Sequence, residues 1–94
     1  MQISNQPESI DLLSAYPNPF NESTTIVYTI KEPTEIKLAL FNITGSLIKT
    51  LITEYKDPGT FHYNLNAADL ASGTYFCILD TETQITTTNL IPVR

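Results

Sequence analysis

From Thr24 onward the chain alternates. Ile26, Tyr28 and Ile30 fall on one side of an extended backbone, and Thr25, Val27 and Thr29 on the other. A period of two is what a half-buried β-strand needs and what a helix cannot use. The same alternation returns in Ile36, Leu38 and Leu40 against Lys37, Ala39 and Phe41, and again in Phe61, Tyr63 and Leu65 against Thr60, His62 and Asn64. Turn residues punctuate these runs: Lys31-Glu32-Pro33, Asn42-Ile43-Thr44-Gly45-Ser46 and Lys56-Asp57-Pro58-Gly59. Gly45 can take the positive φ of a tight hairpin, and Gly59 follows a proline pre-set for a turn's first corner.

The remaining segments fit the same plan. Ile10 to Leu13 is a short candidate strand, Leu47 to Thr53 the partner of the run before it, Thr74 to Leu79 a central strand, and Gln84 to Val93 the last strand. Only Asn66 to Ser72 favours a helix, for about one turn, with Asn66 as cap and Gly73 as its end. Fourteen threonines suit pleated surfaces and disfavour helices. About seven short strands with regular turn signals predict an all-β, immunoglobulin-like antiparallel sandwich. The expected organisation is one domain over 10–94, with the polar stretch 1–9, which contains Pro7, as a linker or leading end. Pro92 should confine the last strand to an edge. The Asp80-to-Gln84 hairpin would then be its sole tether, which would allow a strand-exchanged dimer of the isolated chain.

Chemistry-bearing residues are few. A net charge of −5 with five scattered basic residues argues against nucleic acid as a partner. The single histidine, His62, lies mid-strand on a polar face, without a nucleophile motif to orient. The single cysteine, Cys77, falls in the most buried-looking strand and reads as a small hydrophobe. Asp57, Asp69, Asp80 and Glu82 stand near turns, without the spacing of a calcium loop. No enzyme activity, metal or cofactor is expected on these grounds.

Four blocks in fixed order carry a resemblance. YPNPFNESTTIVYTI (Tyr16 to Ile30) resembles the opening of type IX secretion carboxy-terminal sorting domains of Bacteroidota, type A. LALFNITGSLIKTL (Leu38 to Leu51) is similar to their strand–turn–strand block, and PGTFHYNLNAADLASGTYFCIL (Pro58 to Leu79) to their aromatic strand and D-L-A-S-G-x-Y-F block. TTTNLIPVR (Thr86 to Arg94) sits where that family ends its chain. Asn89 stands where the family commonly has lysine, and Ser46 where it often has a basic residue. Physically, the prolines of Tyr16, Pro17, Asn18, Pro19 and Phe20 would fix a rigid crossing, with both aromatics covering a core edge. Gly45, Gly59, Ser72, Gly73 and Tyr75 complete the structural motif.

The resemblance implies a transport address. Such a domain follows a cargo domain, is engaged by an outer-membrane translocon through its C-terminal region, and is often cut from the cargo by a sortase-like protease. The cargo ends at the cell surface or outside it. On this basis Asn89, Leu90, Ile91, Val93 and Arg94 are the candidate recognition residues. The alternative is a carbohydrate-binding or spacer module of a secreted hydrolase or adhesin, which an exposed row of aromatics (Tyr55, Phe61, Tyr63) would favour.

Overall fold

Two antiparallel sheets bury the apolar halves of the alternating runs against each other. The computed structural model describes residues 9–66, 68 and 70–93. Its strands are β1 (Ile10–Tyr16), β2 (Ser23–Ile30), β3 (Thr34–Asn42), β4 (Leu47–Lys56), β5 (Gly59–Asn66), β6 (Tyr75–Thr81) and β7 (Ile85–Leu90). One sheet has the order β1-β2-β5 and the other β4-β3-β6-β7. The all-β sandwich expected from the alternation is the fold observed.

The register explains which side chains meet. Ile26, Tyr28 and Ile30 of β2 face Ile36, Leu38 and Leu40 of β3 and Cys77 and Leu79 of β6, all nearly sealed from solvent. Burying each aliphatic side chain of this kind contributes roughly 1.5–3 kcal/mol. Phe61 and Tyr63 pack against this cluster from β5. The Phe61 ring lies 5.5 Å from that of Tyr28, and Lys56 Nζ covers its other approach at 4.3 Å from the ring centroid.

Several boundaries move from where the alternation alone put them: β6 runs on to Thr81, and the last strand, expected to reach Val93, ends at Leu90 ahead of the Phe20↔Pro92 bridge. β1 runs on past Leu13 because it pairs with β2 as far as Tyr16↔Thr25. β4 extends to Lys56, opposite Thr34. Ser9, expected in the linker, is only 2% exposed, and its carbonyl accepts the Lys31 N–H at 2.9 Å, so the fold takes it in. Tyr16 is also displaced from its expected role. Ala15 sits opposite the inward Ile26, so the next residue must face outward, and Tyr16 is 79% exposed while Phe20 alone enters the core.

The outer edge of the larger sheet is protected against pairing. Two register shifts along β3–β4 leave Ile48 and Leu51 without partners and set Lys49 opposite the inward-facing Leu40. Bulges and an exposed lysine on the edge strand both discourage a further strand from adding to it.

The turn motifs are held by side chains. Asn42 Oδ1 accepts from Thr44 N–H, Thr44 Oγ1–H and Ser46 N–H at 3.1, 2.8 and 2.9 Å, while Gly45 takes φ +88°. Asn66 Oδ1 accepts the Ala68 N–H at 2.8 Å, in the manner of a cap. Ala67 and Asp69, on which the expected helical turn also rests, lie outside the described residues. In the same connection Leu70 is buried, and the Tyr75 hydroxyl donates to Ala71 O at 2.9 Å, leaving Ser72 exposed at the surface. Gly73 takes φ +143°, with open space where a Cβ would stand, so the constraint there is backbone conformation alone. Gly73→Val should therefore lower stability by about 1–3 kcal/mol. Chemical denaturation checks this, and an unchanged midpoint would mean the turn tolerates a side chain.

Candidate functional site

Two of the four motif blocks, far apart in the chain, meet at one end of the sandwich. Phe20 is 2% exposed and forms a parallel bridge with Pro92. Its N–H donates to Ile91 O at 3.1 Å, and its carbonyl accepts the Val93 N–H at 2.7 Å. A parallel bridge uses the groups on either side of the central residue, so Pro92 occupies the one position where a missing N–H costs nothing. Beside it, Asn18 Nδ2 donates to Asn89 O at 2.8 Å and Asn18 Oδ1 accepts the Ile91 N–H at 3.0 Å. The loop is anchored in turn by Thr24, whose buried hydroxyl donates to Pro17 O at 2.7 Å. The Tyr16–Pro17 and Asn18–Pro19 peptides within it are cis.

A second set of bonds ties the start of the last strand. Gln84 Oε1 accepts the N–H groups of Ser9 and Ile10 at 3.0 and 2.9 Å. The Ser9 hydroxyl is bonded to Thr81 Oγ1 and accepts from Thr83 Oγ1–H at 3.1 Å. β7 is thus held at both ends by residues at or beyond the ends of β1, and the two strands also lie close to each other. This corrects the expectation of a strand tethered by its hairpin alone, and with it the ground for expecting strand exchange. Pro92 does not merely mark an edge; it turns the chain out of β7 and onto Phe20.

The candidate recognition residues separate by environment. Leu90 is completely buried and lies opposite Tyr75 of β6, so it belongs to the core. Ile91 is half-buried, and both of its main-chain groups are taken by Asn18 and Phe20. Asn89 and Val93 are exposed, Val93 to 49%, and Val93 shares a shallow open groove with Pro17, Pro19 and Glu22. Arg94 lies outside the described residues. Residue spacing carries no sign of the clasp; its only trace is an amide side chain set between two prolines, neither of which can donate from its own backbone.

The other chemistry-bearing side chains lie elsewhere. His62 is exposed on β5. Phe61 and Tyr63 turn into the core while Tyr55 is exposed on the other sheet, so the three aromatics form no common row. Among the described residues no three His, Cys, Asp or Glu side chains converge.

Fold and geometry define a class: a small antiparallel sandwich whose most distinctive motifs are used to hold its own carboxy-terminal segment. The chain belongs to the family of secretion system C-terminal sorting domains, which it matches over residues 14–93. No curated protein and no solved structure matches it. A domain of this family marks the protein that carries it for secretion.

Cys77 supplies a test of the packing beneath this site. It is fully buried next to the β7 ladder, opposite Thr88, and burial pushes its thiol up to about 12. Burial, with a smaller contribution from the negative Glu54, also raises Tyr28. A thiol whose proton is held more tightly in the native state stabilises the fold at neutral pH. That contribution is lost as pH rises past the free thiol's range of about 8.5 toward the native value. Urea midpoints should therefore fall between pH 7 and 10.5, with a shallower fall in Cys77→Ala; equal slopes would place the thiol in contact with water.

Proposed function

We propose that this domain directs an attached cargo across the outer membrane by the type IX pathway, and that the machinery reads the chain end as part of a folded surface. The observation that carries this reading is the division of labour in 89–93. Leu90, Ile91 and Pro92 are committed to the core and the clasp, whereas Asn89 and Val93 face solvent at a fixed place. A translocon serving many cargoes can recognise only what they share, and a held segment loses less conformational freedom on binding than a loose one. The partners under this reading are the outer-membrane translocon, a preceding cargo domain and a sortase-like protease acting after passage.

Geometry also dictates the test. Removing all of 89–94 would strip out Leu90 and expose the core, so misfolding would explain any export defect. Deleting only Val93 and Arg94 removes the outward-facing end and, among the described contacts, a single bond to Phe20 O. A secreted reporter fused ahead of the shortened domain should collect in the periplasm, while its denaturation midpoint stays close to that of the parent. Normal surface delivery of the folded, shortened fusion would overturn the reading.

A further inference from the structure

The prolines and Phe20 of the Tyr16–Phe20 loop are accounted for as scaffold, but Asn18 is not. Its side chain is half-exposed and bound at both ends to main chain, to Asn89 O through Nδ2 and to the Ile91 N–H through Oδ1. Those two groups lie on either side of Leu90. A side-chain amide carries the same donor and acceptor as a peptide group, so Asn18 offers the chain end what a neighbouring strand would offer. The loop backbone can do this only in part. Pro17 and Pro19 have no N–H, and the Phe20 N–H is already given to Ile91 O.

We propose that Asn18 is a positioning residue for sorting: it holds the chain end in the one arrangement that the secretion machinery reads. This rests on the proposal that the chain end is read at all. Two states follow from the contacts. In the closed state Asn18 and Phe20 together make four hydrogen bonds to 89–93, and Val93 lies beside Pro17 and Pro19. In the open state the segment beyond Leu90 leaves the loop, while Leu90 stays in the core through its pairing with Tyr75. Aspartate cannot replace Asn18, because at neutral pH it lacks the donor and sets a carboxylate against the Asn89 carbonyl.

Carboxypeptidase trimming of the purified chain, together with export of a reporter fused ahead of it, tests the assignment. Asn18→Ala should let the end be trimmed about tenfold faster, the effect expected from losing the Asn18 contacts, and Asn18→Asp at least as much. Both should lower export, with the denaturation midpoint little changed. Unchanged trimming, or faster trimming with export unaffected, would overturn the proposal. So would a collapse of the midpoint in both variants, because Asn18 would then be part of the core's stability. Val93→Asp, run alongside, separates the two claims. If it blocks export while the Asn18 variants do not, the chain end is read but Asn18 does not position it. If Val93→Asp is delivered normally, the chain-end reading fails and the sorting role of Asn18 falls with it.

Discussion

The last strand of this sandwich is held at both ends by residues at and beyond the ends of the first, and that tie fixes where residues 89–93 lie. At one end Gln84 accepts the N–H groups of Ser9 and Ile10; at the other, Asn18 and Phe20 take the main chain of Asn89, Ile91 and Val93. β1 and β7 are edge strands of different sheets, so no continuous ladder joins them. Side-chain amides bridge the gap instead. Each such bond contributes only about 0.5–1.5 kcal/mol net. The bonds close the sandwich at the end where Phe20 and Leu90 are buried, and burial of each of those side chains contributes roughly 1.5–3 kcal/mol more. Packing and clasp therefore act at the same end of the molecule, with Leu90 held from within by its pairing with Tyr75.

This arrangement separates two sets of contacts along the molecule. Ser9 and Tyr16 lie at the two ends of β1, whose seven residues rise roughly 20 Å. Ser9 therefore lies at the opposite end of the sandwich from Val93.

Much of this was legible in the sequence, for physical reasons that differ from element to element. Ile26-to-Ile30 and Ile36-to-Leu40 announced their strands because a period of two admits one burial pattern only. The core positions of β6 followed from an apolar run too short for anything but a central strand. The Asn42 and Gly73 turns were readable because few residues satisfy their geometry. What stayed hidden depends on long-range partners. Tyr16 looked like a core residue as an aromatic beside prolines, and only its register against Thr25 turns it outward. Asn18 and Gln84 act through main chain more than seventy residues away, a relation that local pattern cannot encode. Pro92 read as a strand breaker, and only its parallel bridge to Phe20 shows why it fits there.

Native-state amide hydrogen exchange, resolved by residue, tests whether 91–93 is a fixed part of the fold. The N–H groups of Ile91 and Val93 lie beyond the end of β7, yet each has a defined acceptor, Asn18 Oδ1 and Phe20 O. Both should exchange far more slowly than in a free peptide, at rates comparable to the outer positions of the β6–β7 ladder. Exchange at free-peptide rates for both, with the amides of β3 and β6 fully protected, would show a loose chain end on an otherwise intact sandwich and would contradict a fixed one.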